Sequence, residues 1–534
     1  MRVHFLYEDK EWGNIPRYAD AKNIIQDLGL KTLFSIAAKE VIYKDGRVDS
    51  IDKEDVFLAR TMEAVMMVPL SSEAEILYRH EMLQSALDNK EFIYEMYTTV
   101  EEMLKTWEAL GRRLSGRSTK DSTAKLVSDI HVLSLFVNTL SKIKRMLKEN
   151  LPGLNARGFA DLYDSLCGEF SEEKEEALQK ILQDISFYIR DTENEEKTEV
   201  KPRIVLGCNL AQGLKCGGFV VEEVHTKSRA FGVRSSMAEL VQGYIQSQKP
   251  EVIQLRKDMN LLRQGLHLEY EVVRYVVSAC APFVQTYNDF FDQLHFQLGF
   301  YKAAIILQQH IKRFYLPQCY PVVVGRDTLR FENLKEFVMA VEQRVTPVGN
   351  TCDIARKKLL VITGANQGGK STFLRSIGIA QIMMQCGLPV IAESYESGIF
   401  PSFFTHFTRR EDSAMNSGRL DEELKRMSQI VDNLGAHSMV LLNESFATTT
   451  EKEGSMIAYD IIKALTEADV KVLTVTHLLS FAQRIYEEAG EMENIGVEFF
   501  SAEREESGRR TFKMIQHPPE LTSFGMDLYS SIIG

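Results

Sequence analysis

The chain has few cysteines, and none of them lies in a C-x-x-C pair. The seven cysteines are scattered, at positions 167, 208, 216, 280, 319, 352 and 386. An odd, scattered set disfavours both a structural zinc site and a disulfide framework. It favours a reducing compartment, and the N-terminal MRVHFLYEDKEW has no long apolar run typical of a signal peptide. We therefore expect a cytoplasmic protein.

The chain also lacks an excess of positive charge. Its 63 Lys and Arg against 75 Asp and Glu give a formal net charge of −12, so bulk electrostatics would not draw it to DNA or to an anionic membrane. No uncharged apolar stretch is long enough to cross a bilayer, so we expect no membrane partner. The 534-residue length and 44% hydrophobic content predict several globular domains with a sizeable core.

Hydrophobic periodicity divides the chain into three predicted domains. Residues 1–52 mix helix and turn signals and include a predicted hairpin over residues 41–51. Residues 53–315 are predicted to be mainly helical, because apolar residues recur at three- and four-residue spacing. Residues 316–534 alternate strand and helix signals, as an α/β nucleotide-binding domain does.

A segment of different character interrupts the helical domain. Residues 201–224, KPRIVLGCNLAQGLKCGGFVVEEV, have β-branched runs punctuated by glycines, which predicts two or three short strands. We take this insert as about residues 201–236. It has an excess of basic residues, which the whole chain lacks. Its candidate DNA-contacting residues are Lys201, Arg203, Lys227, Arg229 and Arg234. The alternative is a structural β-element whose charges are simply solvated.

The most specific motif is KLLVITGANQGGKST, residues 358–372. The apolar run Leu359–Ile362 predicts a buried parallel strand, and a helical pattern begins at Phe373, so the motif G-x-x-x-x-G-K-[ST] lies in its required setting. Glycines let backbone N–H groups approach phosphate oxygens, and the helix N-terminus adds partial positive charge. The candidate nucleotide-binding residues are Gly364, Ala365, Asn366, Gln367, Gly368, Gly369, Lys370, Ser371 and Thr372.

Two residues of this motif have expected roles of their own. Lys370 would reach the β- and γ-phosphates of ATP, and the Ser371 hydroxyl would ligate Mg²⁺. ATP and Mg²⁺ are therefore the expected cofactors. The alternative is an ordinary glycine-rich turn, which the match at every motif position and at both flanks disfavours.

Two later strands are predicted to complete the site. Residues 438–446, SMVLLNESF, form an apolar strand that ends in Asn443 and Glu444. Glu444 fits the base that orients the attacking water, whereas Asn443 occupies the position at which an Asp usually holds Mg²⁺ through water. Residues 471–480, KVLTVTHLLS, place His477 after a second strand, where it can sense the γ-phosphate. The predicted catalytic residues are Glu444, His477 and Lys370.

These motifs resemble those of the MutS family of DNA mismatch-repair ATPases. The phosphate loop is similar to that family's Gly-Pro-Asn-Met-Gly-Gly-Lys-Ser-Thr, with its central Asn and paired glycines. Other segments follow in the family's order: Phe407-Thr408-Arg409, Ser417-Gly418-Arg419, Thr448-Thr449-Thr450 with Gly454, Thr476-His477, and Thr522-Ser523-Phe524-Gly525. Upstream, Pro347-Val348-Gly349-Asn350 resembles the family's Phe-Ile-Ala-Asn stretch beside the adenine, which implies that Val348 and Asn350 contact the nucleotide.

The resemblance is specific over about 345–530 and weaker over 53–315, where the family has a helical core, lever helices and a DNA-touching clamp. It implies a multidomain protein: a mainly α-helical core and lever with a small β clamp-like insert, followed by an α/β P-loop ATPase domain of the ABC type. It further implies a homodimer with two composite ATP sites, which closes around branched or duplex DNA without sequence specificity and reopens on hydrolysis. Ser417 would then meet phosphate from the second subunit.

The chain departs from the family pattern in several places. We find no trace of the N-terminal mismatch-reading domain, so the chain resembles the short MutS-related branch that keeps core, clamp and ATPase. Asn443 replaces Asp, Leu420 stands where the family has a serine that contacts ATP across the dimer, and Val348 replaces the aromatic that stacks on adenine. Either Ser417 or Asn416 would have to serve in place of that serine.

We therefore expect a MutS-like, DNA-dependent or DNA-modulated ATP hydrolase in DNA repair or recombination, without mismatch recognition. The alternative is an ATP-binding switch or interaction protein with little hydrolysis, which the three departures at the nucleotide site favour. A third option, a chromosome-maintenance ATPase of related fold, is disfavoured because no heptad run extends far enough for its long coiled coil.

Overall fold

The computed structural model describes most of the chain outside the candidate insert and the C-terminus. The described residues are 2–10, 12–13, 15–44, 47–115, 122–185, 203–211, 215–225, 261–365, 367–408, 419–435, 437–490, 492, 495–505 and 509–519. The chain divides into two compact units. Unit 1 comprises Met1–Val3 and Glu91–Leu298, and unit 2 comprises His4–Lys90 and Gly299–Gly534. The predicted division into three domains stays a prediction.

Unit 1 is built mainly of long helices. They are α5 (Lys90–Ser115), α6 (Ser122–Asn150), α7 (Arg157–Glu169), α8 (Glu172–Ile185) and the part of α9 (Leu261–Arg313) up to Leu298. Apolar side chains at helical spacing form its core, and the rings of Phe136 and Phe291 meet edge to face at 5.3 Å. The rings of Phe290 and Phe291 on α9 are buried in this core.

In the described part of the glycine-punctuated insert, residues 203–211 and 215–225, the chain forms two strands, in agreement with the two or three predicted. Strands β3 (Arg203–Ala211) and β4 (Lys215–His225) pair antiparallel and are nine and eleven residues long, which is longer than the short strands expected. Arg203 lies opposite His225 at one end of the pair. The other candidate DNA-contacting residues, Lys201, Lys227, Arg229 and Arg234, lie outside the described residues, and the role of the insert as a clamp stays a prediction.

Unit 2 begins with small elements that pack beside its main sheet. These are α1 (Ala21–Asp27), α2 (Leu30–Ala37), the hairpin β1 (Val41–Lys44) and β2 (Arg47–Ile51), α3 (Val56–Met66) and α4 (Glu73–Asp88). The antiparallel pairing of β1 and β2 confirms the predicted hairpin. At the start of α4, the Ser72 hydroxyl accepts a hydrogen bond from the Glu75 N–H at 3.3 Å and caps the helix.

The main sheet of unit 2 has six strands in the order β10-β11-β12-β8-β13-β14. The strands are β8 (Leu359–Thr363), β10 (Phe403–Phe407), β11 (Met439–Asn443), β12 (Lys471–Val475), β13 (Val497–Arg504) and β14 (Arg510–Gln516). The first five pair in parallel, and only the edge strand β14 is antiparallel to its neighbour. All five residues of β8 are buried, which confirms the buried parallel strand that its apolar run predicts.

Helices and a second sheet complete unit 2. The helices are α10 (Phe337–Gln343), α11 (Lys370–Gln385), α12 (Arg419–Asp432), α13 (Glu451–Glu467) and α14 (Leu479–Glu488). The second sheet has the order β5-β9-β6-β7, with β5 (Val322–Val323), β6 (Leu329–Leu334), β7 (Asn350–Ile354) and β9 (Ser394–Ser397). No helix within the described residues is both long and apolar enough to span a bilayer.

Two buried amides fix α11 against the segment around β9. Gln381 donates to Gln385 Oε1 at 2.7 Å and to Gly398 O at 2.9 Å, and it accepts from the hydroxyls of Tyr395 and Ser397. Gln385 donates to the Tyr18 hydroxyl and to Phe400 O, and its Oε1 also accepts from the Phe400 N–H. Each amide therefore uses both donors and both acceptor positions, so the pair satisfies its buried polar groups completely.

Candidate nucleotide-binding site

The glycine-rich loop joins the end of β8 to the start of α11. Gly364 and Gly369 have φ angles of +107° and +95°, a region that glycine enters without strain. A Cβ atom on Gly364 would lie 2.9 Å from Ala502 N, and one on Gly368 would lie 2.8 Å from Ala502 Cβ. The loop therefore requires glycine at these positions because β13 approaches so closely.

Helix α11 begins at Lys370, three residues earlier than the helix start predicted at Phe373. The apolar periodicity begins only at Phe373, because Lys370, Ser371 and Thr372 are polar. It therefore marked the first apolar residue of the helix rather than its first residue. Gly369 precedes the helix in a left-handed conformation. The N–H groups of the first helical turn have no partner within the helix and carry its partial positive charge, which suits an anion at the loop.

Lys370 is buried and folds back over the loop. Its ammonium donates to Gly364 O at 2.7 Å and to Ala365 O at 2.9 Å. Ser371 and Thr372 are half-buried on the same first turn. Asn366 lies outside the described residues, and Gln367 has a φ of +58° and accepts from Arg510 at 2.9 Å.

Glu444 and His477 meet at the ends of neighbouring strands. Glu444 follows β11 and His477 lies just beyond β12, and His477 Nε2 lies 2.7 Å from Glu444 Oε1. This hydrogen bond is the main cause of a lowered pKa of the Glu444 carboxyl; partial burial opposes it, and the charges of His477 and Lys370 add to it. The structure thus brings together the three predicted catalytic residues, although their catalytic roles stay predictions.

Asn443, the last residue of β11, has a side-chain oxygen that suits a hydrogen bond from a water bound to Mg²⁺. Its Oδ1 atom is buried and receives no hydrogen bond from any residue that the structure describes. A buried amide oxygen without a donor is costly, and a metal-bound water would supply one. Within the described residues no three His, Cys, Asp or Glu side chains converge to hold a metal.

Asn350 fixes the segment that was compared with the adenine-binding stretch. Its Oδ1 accepts from the Met514 N–H at 2.8 Å, and its Nδ2 donates to Phe512 O at 3.4 Å. Asn350 therefore ties β7 to β14. Val348, two residues earlier, is 39% exposed.

Phe512 is a candidate binding residue that the sequence reasoning missed. It lies on β14 with a φ of +61°, it is 47% exposed, and its Cβ lies within 3.6 Å of the position of a Cβ on Gly369. In the sequence TFKMIQ nothing distinguishes this aromatic from an ordinary strand residue. Its place beside the glycine-rich loop becomes evident only from the position of β14 in the structure. Ser417, Asn416 and residues 522–525 lie outside the described residues, and Leu420 is the second residue of α12.

A glycine-rich loop between a central parallel strand and a helix, with polar residues at the ends of the adjacent strands, is the arrangement of P-loop nucleotide-binding domains. Comparison with known proteins is more specific. Residues 360–532 match the family described as MutS domain V, and residues 71–314 match the MutS2 N-terminal domain. The chain therefore belongs to the MutS family.

Individual relatives resemble parts of the chain. It is 32% identical over 162 residues to the endonuclease MutS2 of Streptococcus sanguinis (strain SK36), covering 30% of this chain and 20% of that protein. It is 29% identical over 167 residues to the DNA mismatch repair protein MSH3 of Eremothecium gossypii, covering 31% and 15% respectively. It is 34% identical over 134 residues to the MutS protein homolog 4 of Mus musculus, covering 25% and 14%. The matched region is thus a fifth or less of each relative.

Proposed function

We propose that this protein is a DNA-binding ATPase of the MutS family that acts in DNA repair or recombination. One observation carries the ATPase part: Lys370, Asn443, Glu444 and His477 gather at the same edge of three adjacent parallel strands, β8, β12 and β11. The carboxyl ends of parallel strands are where ligands bind in open α/β sheets.

The residues present divide the work of ATP hydrolysis among them. The loop N–H groups and the N-terminus of α11 would hold the phosphates, and Lys370 would exchange its contacts with Gly364 O and Ala365 O for phosphate oxygens. Ser371 and Asn443 would hold Mg²⁺, directly and through water; when bound, the ion neutralises charge on the phosphates. Glu444 would accept a proton from the attacking water, and His477 would hold the Glu444 carboxylate in place.

The adenine would lie near the contact between β7 and β14. Val348 offers only an aliphatic surface there, whereas the exposed ring of Phe512 offers an aromatic face beside the loop. An aromatic face can stack on a base, so Phe512 would stack on the adenine, which the aliphatic side chain of Val348 cannot do.

Membership of the MutS family, and relatives described as a DNA mismatch repair protein and an endonuclease, support a role on DNA. We propose that two copies form an ATP-gated clamp on duplex or branched DNA, with the basic residues of the 201–236 insert on phosphates. Such contacts would position the protein without reading sequence. A local patch is needed, because the net charge of −12 opposes binding to DNA.

Phosphate release with Mg²⁺ and ATP, measured with and without DNA, tests the proposal. We expect wild type to turn over, Lys370→Ala to lose ATP binding or turnover with the fold intact, and Glu444→Gln to keep ATP binding but slow hydrolysis by about 10²-fold or more. Glu444→Gln should also accumulate the ATP-bound dimer in size measurements. Equal ATP affinity and turnover in wild type and Lys370→Ala would refute the assignment of the site.

A second candidate, an ATP-binding switch with little turnover, is favoured by one specific feature. Asn443 lacks the carboxylate charge that usually supports Mg²⁺ at this strand end. The same assay separates the candidates: a switch would bind ATP in a Lys370-dependent way, yet its phosphate release would not differ between wild type and Glu444→Gln.

A further inference from the structure

The turn that carries Glu444 is strained. Glu444 and Phe446 have φ angles of +57° and +65°, and neither is glycine. Non-glycine residues in this left-handed region are uncommon and persist only when surrounding contacts hold them. Because Glu444 departs from the extended backbone of β11, its carboxylate reaches His477 instead of continuing the alternation of the strand.

Thr408 holds this turn from the end of β10. Its N–H donates to Asn443 O at 3.1 Å, and its hydroxyl lies 2.7 Å from Glu444 O and 3.2 Å from Asn443 O. One side chain thus satisfies the carbonyl of Glu444 and also contacts that of the preceding residue. A carbonyl left without a donor in this half-buried place would favour a different backbone conformation.

Glu423 holds the other side of the turn from the first turns of α12. Its side chain is 7% exposed, and its Oε2 accepts from the Phe446 N–H at 2.9 Å and from the Thr448 hydroxyl at 3.2 Å. Burial raises the pKa of this carboxyl, against the lowering effect of those two hydrogen bonds. Glu423 therefore fixes the second left-handed residue, two positions after Glu444.

A buried histidine connects the same parts through their backbones. His406 Nε2 donates to Glu423 O at 3.1 Å, while its Nδ1 lies 2.7 Å from the Ser445 hydroxyl, which also lies within 2.9 Å of His406 O. The His406 ring thus holds both the backbone of α12 at Glu423 and the side chain of Ser445. Two elements, β10 and α12, together determine the conformation of the turn.

We propose that Thr408 and Glu423 are positioning residues for ATP hydrolysis, which act by holding the turn at residues 443–446 so that the Glu444 carboxylate stays on His477. This inference rests on the proposed function, since it assigns Glu444 the role of base. Neither residue needs to touch the nucleotide. Their loss should therefore lower the rate of hydrolysis and leave ATP affinity almost unchanged.

Two substitutions, one at each residue, remove these contacts in a protein that should still fold. Thr408→Val is nearly isosteric and removes the hydroxyl, and Glu423→Ala removes the acceptor of the Phe446 N–H. We expect each to lower kcat about tenfold or more, with the Kd for ATP within about threefold of wild type. Glu423→Gln keeps a carbonyl acceptor and should retain more activity than Glu423→Ala. Asp421→Ala is the matched control and should behave as wild type. Asp421 is an exposed carboxylate of the same helix, and in the described structure it pairs only with Lys425.

The comparison of kcat with the Kd for ATP distinguishes positioning from a general structural effect. A general loss of structure at the site would weaken ATP binding as well as hydrolysis, whereas loss of positioning should lower kcat alone.

Amide hydrogen exchange over residues 443–450 supplies a readout that does not require turnover. We expect faster exchange there in Thr408→Val and Glu423→Ala, with melting temperatures showing that both variants are folded. Unchanged exchange, or a wild-type kcat in folded Thr408→Val, would overturn the positioning role. If wild type itself releases no more phosphate than Lys370→Ala, the proposed hydrolysis fails instead, and the exchange result still decides whether these residues hold the turn.

Discussion

Lys471 is a buried lysine at the start of β12, and its replacement by Met should stabilise unit 2 at neutral pH. The side chain is 3% exposed, and its ammonium donates to Arg326 O at 3.2 Å. Burial lowers its pKa from 10.5 to about 8, against opposing effects of Asp327 and Cys352. Burial therefore makes a charged ammonium unfavourable at this position.

The pKa difference sets the size and the sign of the effect. The unfolded chain binds a proton at Lys471 more tightly than the folded protein, so folding stability is lost as pH falls from 10.5 through about 8. The penalty is about 3 kcal/mol at pH 7 and about 1 kcal/mol at pH 10. Methionine removes this penalty and loses one hydrogen bond worth about 1 kcal/mol. Lys471→Met should thus gain about 2 kcal/mol at pH 7 and almost nothing at pH 10.

Urea denaturation followed by tryptophan fluorescence measures this difference within unit 2. The chain has two tryptophans, Trp12 in unit 2 and Trp107 in unit 1, so a Trp107→Phe background leaves Trp12 as the only reporter. Lys513→Met is the matched control, because Lys513 is an exposed lysine of β14 in the same sheet. The reasoning is refuted if Lys471→Met is less stable than wild type at pH 7, or if its advantage is the same at pH 10.

Three further tests by substitution concern the nucleotide and DNA sites. Asn443→Asp should lower the Mg²⁺ concentration needed for half-maximal turnover, because it places a carboxylate where the amide oxygen has no donor among the described residues; an unchanged requirement would remove Asn443 from the metal site. Phe512→Ala should weaken ATP binding by about tenfold if the ring stacks on adenine, whereas Phe512→Tyr should bind almost as wild type, and equal affinities of all three would exclude stacking. Replacement of Lys227, Arg229 and Arg234 together by Ala should weaken binding to all duplexes by similar factors and reduce the slope of log affinity against log salt by at most about 3. An unaltered slope would favour a structural insert, and clear preference for a G·T mismatch over homoduplex would contradict the expectation of no mismatch reading.

Local patterns predicted the parts of the site that are contiguous in sequence. The buried strand β8, its glycine loop, and the polar residues after β11 and β12 follow from apolar runs that end at Thr363, Asn443 and Val475. The helix start at Lys370 was missed, because a polar first turn carries no apolar signal.

Contacts between distant residues could not be predicted in this way. Thr408 and Glu423 meet the turn at Glu444 only because β10 and β11 are neighbours in the sheet and α12 packs back onto them. The position of the Phe512 ring beside the glycine-rich loop likewise depends on the antiparallel pairing of β14 with β13. Hydrophobic periodicity shows which residues are buried, but the strand order that brings these side chains together has no counterpart in a single sequence.

The buried amides of Gln381 and Gln385 limit how this domain can change during evolution. A leucine at either position would remove one hydrogen bond from the other amide and would leave hydroxyls or backbone groups around Gly398 or Phe400 unpaired. Replacing both by apolar residues would still leave the backbone groups unpaired, so no simple route leads to an apolar interior here. Homologues that share this packing should therefore keep both glutamines, and a homologue that has lost one should show a rearranged loop after β9.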